Sequence, residues 1–429
     1  MTSCTMVKAV VSTPPHPLAG EMVPPTLFDR ATFDLLVPLV FVYPAPTPSN
    51  EALKVGLSRA MAAYPHLAGR LAVDKRGRRC IHVNNMGALV IEDAMAVDLD
   101  SVVLVDAGVV ADLGALYPIL LTPEETTGAA VLQIQLTRYR CGGLVIGFAF
   151  HHKIMDGTAL DGFLATWAMA VRQGRDFTAP SPFLDRGILT AVNPTTPVFD
   201  HGSIEFKGPT DAPARTCNRK TIKLSFTSEF MAELKARVGA PCTTFQCMLA
   251  HMWKKTTQDR GVKPDEFTQV RVAVNCRGRA TPPVPSDLFG NMVLWAFPKL
   301  QARDVLSSSY GSVVCAIRDA VQGVDGDYIR SFLDFGAMAD AEGQELTATA
   351  PATGTMCCPN LEVDSWLRFG YHKVDFGGGP PSPFLFPDIP AEGIMVLWPS
   401  LLDKGGVDVM IALAEEHVAP FQQICYLLL

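Results

Sequence analysis

Between Leu53 and Ala63 the apolar residues Leu53, Leu57 and Met61 recur at helical spacing, and Pro65 stops the run, so a helix is predicted here, followed by a turn and strands. From Val131 to Tyr139 the period changes. Leu132, Ile134 and Leu136 alternate with Gln133, Gln135 and Thr137, which predicts a strand with one buried face. Cys141-Gly142-Gly143 supplies a turn, and Leu144 to Phe150 is then almost wholly apolar, as a strand covered on both faces requires. After His151 to Gly157, the residues Leu160, Phe163, Leu164, Trp167, Ala168 and Val171 return to three-and-four spacing. The string His151-His152-Lys153-Ile154-Met155-Asp156-Gly157 thus joins a buried strand to a packed helix.

The patterning lapses from Gln173 to Arg219, where Pro, Gly, Thr and Asp accumulate; this predicts a crossover linker, residues 173–219, between a first domain (1–172) and a second of similar size (220–429). The second part opens on Thr243 and Gln246 at capping-box spacing, followed by a helix burying Phe245, Leu249, Met252 and Trp253. No internal repeat is visible. Strand, loop and helix alternate in both parts, so the fold class is α/β or α+β with two domains.

Composition narrows the function classes. The chain has 429 residues, 48% apolar and 18% charged, the make-up of a globular protein with a sizeable core. A mean hydropathy of +0.20 raises the question of a membrane, but every apolar run is broken by Pro, Gly or charge well before a spanning length. The N-terminal residues Met1 to Lys8 lack the basic start and apolar stretch of a secretory signal, so a cytoplasmic protein is expected. Eleven scattered cysteines, an odd count with no CxxC, read as reduced thiols rather than a disulfide framework. A net charge of −7 without a basic block speaks against nucleic acid as a partner.

The histidine loop carries the candidate chemistry. A histidine after a buried strand, with a carboxylate four residues on, suits a neutral base fixed by its surroundings. The same spacing also serves structural hydrogen bonding, and the spacing alone leaves both readings open. No metal site is expected, because no Glu lies between the ligand-type residues and no third ligand stands at a recognisable spacing.

The full string HHxxxDG resembles the chloramphenicol-acetyltransferase-like superfamily, and Val374-Asp375-Phe376-Gly377-Gly378-Gly379 narrows the match to the plant BAHD acyltransferases, whose DFGWG motif it follows with Gly378 in place of tryptophan. Further matches are Tyr64-Pro65-His66-Leu67-Ala68-Gly69-Arg70-Leu71, Thr244-Phe245-Gln246 through Trp253, Asn275-Cys276-Arg277-Gly278-Arg279 and Leu288-Phe289-Gly290-Asn291, so the resemblance spans essentially the whole chain. It implies two chloramphenicol-acetyltransferase-like domains joined by a long crossover, acyl-CoA as co-substrate with no permanently bound cofactor, and a monomer. It also implies His152 as general base, Asp156 paired with Arg277 as a structural element of the site, and Asp375, Gly377 and Gly379 shaping the second motif. In relatives the motif tryptophan can line the site and assist the oxyanion, so Gly378 implies that another donor takes that part.

The segment Glu362-Val363-Asp364-Ser365-Trp366-Leu367-Arg368, with glycine at 378, is similar to grass enzymes that acylate agmatine, putrescine, tryptamine or tyramine. The expectation is therefore an amide formed from an aromatic acyl group, hydroxycinnamoyl or benzoyl, and a primary amine. The alternative is an ester of shikimate or another alcohol. Trp366, Arg368 and Asp364 are the candidate acceptor-binding residues. Lys254, Lys255 and Arg260 are the candidates for the CoA phosphates, as charge-assisted donors on or after one helix. Two rivals are a free-standing condensation domain and a binding protein that has lost turnover.

Overall fold

The computed structural model describes residues 2–11, 15–75, 77–104, 109–110, 113–122, 124–206, 216–346, 348, 354–382, 384–385 and 389–428. Residues 207–215 of the expected crossover lie outside this set. Two sheets organise the chain. The first has strand order Ser3–Val7, Ala88–Met95, Leu132–Tyr139, Leu144–His151, Leu36–Tyr43 and Phe384–Leu385. The second runs Arg219–Phe226, Val407–Ala414, Ile394–Pro399, Leu361–Ser365, Phe267–Asn275 and Val293–Ala296, with Lys299–Gln301 pairing on Phe267–Asn275.

The helix predicted from Leu53 starts at Asn50, capped by the Ser49 hydroxyl, which accepts from the amide of Ala52, and it ends at Ala63. Its apolar face, Leu53, Leu57, Ala60 and Met61, shares one core with Phe163, Leu164 and Trp167 of the helix Gly157–Gln173. The helix Thr244–Asp259 begins with the anticipated capping box: Gln246 N–H donates to the Thr243 hydroxyl, and Thr243 N–H to the Gln246 side chain. It packs in a second core with the helices Tyr310–Gln322 and Gly326–Ala341.

Leu132–Tyr139 departs from the one-sided strand expected. Gln133, Gln135 and Thr137 are buried as well, because the segment around Leu99 and Leu116 covers the sheet's second face. Gln135 is satisfied there by donating to the carbonyl of Ala115 at 2.7 Å. Gly147 in the neighbouring strand is required by that cover, since a Cβ would fall 1.9 Å from the carbonyl oxygen of Leu116.

The two cores exchange segments. Leu27 and Phe28, from the helical turn Leu27–Arg30, are buried in the second core, with Phe28 ring to ring with Phe332 at 5.0 Å. In return Tyr371, Val374 and Phe376 are buried in the first core, and Phe384–Leu385 pairs with Leu36–Tyr43. The DFGGG segment, expected within the 220–429 unit, is thus packed into the first. The physical reason is that Phe376 finds its aromatic partners there, Trp167 at 4.7 Å and Tyr43 at 5.6 Å.

Candidate active site

The strand Leu144–His151 ends where the two halves meet. His152 N–H donates to the carbonyl of Leu35 at 2.9 Å, and Ile154 N–H to that of His151 at 3.0 Å, turning the chain sharply toward the following helix. Asp156 caps that helix, accepting from the amide of Ala159 at 3.0 Å. The same carboxylate reaches across to the second half, where Arg277 donates to both its oxygens at 2.8 and 3.1 Å and Met292 N–H to one at 2.9 Å. Arg277 spends its remaining donors on the carbonyls of Leu288 and Gly290. Both partners are about 2% exposed, 2% each, so this is a buried and hydrogen-bonded pair.

Asn291 completes the clamp, with its amide donating to the carbonyl of His152 at 2.9 Å and to Asp29 at 2.8 Å. The backbone of the histidine loop is therefore held from both halves. His152 Nδ1 is buried without a partner, and Phe150 lies beside the ring at 6.2 Å between centroids. Burial above all lowers the imidazole pKa, with the nearby charge of Asp156 pulling the other way. The ring is neutral at neutral pH, as a proton acceptor must be. His151 points elsewhere: its Nδ1 accepts from Lys153 N–H at 3.3 Å and its Nε2 lies 3.2 Å from Asp34.

Facing the loop is one side of the second sheet. Along Phe267–Asn275 the residues Val270, Val272 and Val274 enter the second core, so Arg271 and Asn275 project from the opposite side. The same alternation places Trp295, Glu362 and Asp364 on that side. Asn275 donates to the Thr158 hydroxyl, on the first turn of the histidine helix, at 3.0 Å. Arg271 stacks on Trp295 at 3.5 Å, lies 5.4 Å from the ring of Phe33, two residues before Leu35, and pairs with Glu362 at 3.1 Å. Asp364 is half-buried and has no hydrogen-bond or ion-pair partner among the described residues. Its carboxyl is pushed up to about 7 by burial first and by Glu362 second, against the pull of Arg271.

Trp366 follows, its amide donating to the carbonyl of Leu397 at 2.7 Å and its ring edge-on to Tyr371 at 5.3 Å. Tyr371 in turn donates to the carbonyl of Gly157 at 2.8 Å, which brings Trp366 and Asp364 beside the histidine loop. Arg368 is exposed.

Three expectations are corrected. Lys254 and Lys255 are 2% and 1% exposed, and the Lys254 ammonium donates to the carbonyls of Val305, Leu306 and Ser308, closing the end of a neighbouring helix. Arg260 is consumed by a buried pair with Glu392 and a bond to the carbonyl of Asn360. None of the three presents charge to an incoming phosphate: the helix that carries the lysines is buried nearly all round, where an exposed face had been expected.

The second motif stands apart from the first. Asp375 accepts from the amides of Gly377 at 2.7 Å and Gly379 at 2.9 Å, and both glycines adopt positive φ, +116° and +108°. The Gly377 amide above all holds the Asp375 carboxyl below its ordinary range. At Gly378 a Cβ would fall 1.9 Å from the carbonyl oxygen of Pro46, so no side chain fits there without moving the backbone at 46. Tyr43, whose hydroxyl donates to the Val374 carbonyl, lies at the end of Leu36–Tyr43 opposite to Leu36, the partner of His151. That eight-residue strand spans roughly 23 Å at about 3.3 Å per residue. Position 378 is therefore remote from His152, at the opposite end of that strand.

The residues missed in the sequence are Arg271, Trp295, Phe33, Asn275 and Asn291. The signal for the first three is weak, because each is one outward position on a different element. Asn275 and Asn291 lie inside recognised motifs and could have been singled out as polar residues flanking Arg277. Among the described residues no group of His, Cys, Asp and Glu side chains is arranged to hold a metal, and no helix is long and apolar enough to cross a membrane.

A family model described as "Transferase family" matches residues 3–428. Tryptamine benzoyltransferase 1 of Oryza sativa subsp. japonica is 56% identical, over 99% of this chain and 97% of its own length. Agmatine coumaroyltransferase-1 of Hordeum vulgare is 36% identical over 95% and 94%. Among solved structures, F. graminearum TRI101 complexed with coenzyme A and deoxynivalenol superposes with a TM-score of 0.79 at 17% identity, covering 94% of this chain and 97% of that one, a likeness of fold.

Proposed function

The chain belongs to the transferase family of BAHD acyltransferases, and from that premise we propose that it transfers an aromatic acyl group, benzoyl or hydroxycinnamoyl, from coenzyme A to a primary arylalkylamine, giving an amide. The observation that carries the reading is the buried imidazole of His152, its pKa lowered by burial, on a loop clamped through its backbone between two halves. The neutral amine attacks the thioester carbonyl carbon as His152 takes its proton; the C–N bond forms, the C–S bond breaks, and the proton passes to the departing thiolate. Asp156 and Arg277 act by fixing the loop. Domains 1–172 and 220–429, amended by the exchanged segments, give acyl donor and acceptor separate approaches to that histidine. The aromatic lining and the unpaired Asp364 support an amine with an apolar aromatic end, for which the carboxyl is a hydrogen-bond partner or counter-charge. Similarity to a tryptamine acyltransferase over nearly the full length of both chains supports the same acceptor class.

The test offers benzoyl-, coumaroyl- and feruloyl-CoA with tryptamine, tyramine, agmatine, putrescine, shikimate and simple alcohols, and identifies products by mass spectrometry. The expected result is an alkali-stable amide with the highest kcat/KM on an arylalkylamine. A higher kcat/KM on shikimate or another alcohol, with an alkali-labile ester as product, would overturn the acceptor class and leave acyl transfer standing.

A further inference from the structure

The inner side of the second sheet holds a cation of the protein's own. Arg271 lies on the strand Phe267–Asn275 directly opposite Glu362 in register, and the two are paired at 3.1 Å. Its guanidinium is also flanked by aromatic rings from both halves, Trp295 of the second sheet at 3.5 Å and Phe33 of the first half at 5.4 Å. Such flanking by aromatic faces is the arrangement in which proteins receive a ligand's cation. Here the position is filled from within, and one of the two carboxylates of Leu361–Ser365 is already neutralised. Asp364 remains, without a partner among the described residues.

We propose that Arg271 is a specificity-determining residue: its guanidinium occupies the place that a distal cation of the acceptor would need, so the site admits amines whose far end is neutral and aromatic and rejects those with a second positive charge. The inference rests on the amine reading above and deepens it. A diamine or guanidinoalkylamine that has given up its attacking proton still carries one charge at its far end, whereas an indolylethylamine carries none. Bringing that far charge to Glu362 means bringing it against Arg271, and like charges in a partly desolvated site repel strongly. The indole ring meets no such penalty and finds a polar partner for its N–H in Asp364.

The experiment compares kcat/KM for tryptamine with that for agmatine and putrescine, at one saturating aromatic acyl-CoA, in the wild type and in Arg271→Gln, Arg271→Lys and Glu362→Gln. Arg271→Gln should raise the agmatine-to-tryptamine ratio by about tenfold or more, chiefly through a lower KM for agmatine, because a repulsive charge is removed and Glu362 is released. Arg271→Lys, which keeps the charge but not the flat stacking surface, should hold the ratio within about threefold of wild type. Glu362→Gln, which leaves the guanidinium unneutralised, should depress agmatine use further and so checks the idea from the other side should Arg271→Gln fold poorly. A ratio unmoved in every folded variant, or a wild type that already prefers agmatine, overturns the proposal while leaving amide formation intact. A wild type that acylates no amine removes the reading beneath it.

Discussion

Two motif aspartates in this chain do opposite work. Asp156 accepts from a guanidinium 121 residues away and from Met292 N–H in the other half, and it is 2% exposed. Asp375 accepts from amides two and four residues away, on glycines at positive φ, and turns a segment whose glycine 377 is exposed. The first is a cross-link between halves; the second is the knot of a local turn. A short motif therefore announces that a carboxylate has a fixed partner, but sequence distance to that partner decides whether its loss is felt locally or across the molecule. His152, the proposed base, lies within the motif whose aspartate reaches far, and about one strand length away from the other.

The most severe way to break this contrast is at the loop itself. His152→Ala should lower kcat by about a hundredfold to ten-thousandfold, the usual contribution of a general base, with the melting temperature little changed because the loop is held through backbone atoms. Retention of more than about a tenth of the rate would remove the general-base assignment. The pH profile gives a second reading. Because burial lowers the His152 pKa, the imidazole is protonated only below its ordinary value of about 6.5. The acceptor, with an amine pKa of about 10.4, is deprotonated progressively across neutral pH, so kcat/KM should rise from neutral to alkaline pH.

Next in size comes Asp156→Asn, which leaves Arg277 charged and buried. A loss of roughly 3–5 kcal/mol in urea unfolding is expected, at the lower end because the carbonyls of Leu288 and Gly290 retain the guanidinium. An unfolding midpoint equal to wild type would show that the cross-link adds nothing. The smallest effect belongs to the second motif. Gly378→Ala forces a contact with the Pro46 carbonyl and should cost about 1–3 kcal/mol of stability, the range for overpacking, with kcat on the folded fraction unchanged. A gain in kcat from any larger residue at 378 would mean that this position does reach the reacting carbonyl.

What the sequence made legible was local or motif-borne: the helix ending before Pro65, the capping box at Thr243, the buried strand leading into His152. It misled where burial depends on what covers an element from outside. Gln133 and Gln135 read as a solvated face and are buried under the segment near Leu116. Lys254 and Lys255 read as a basic helix face and are enclosed, one of them bonding three carbonyls. The proposed acceptor side was legible only in part, because Arg271, Trp295 and Asp364 are single outward residues on three strands, and nothing in their own neighbourhoods states that those strands adjoin.

The exchanged segments set limits on how this molecule can be cut and rejoined. Leu27 and Phe28 are counted among the buried residues of the second core, and Tyr371, Val374 and Phe376 among those of the first. A chimera with a relative of different acceptor preference, joined anywhere in the crossover, would place each borrowed segment against a foreign core. A graft that respects the packing would carry residues 371–385 with the first half and 27–30 with the second. Recombination that ignores chain order and follows the cores is thus the practical route to moving acceptor preference between such enzymes.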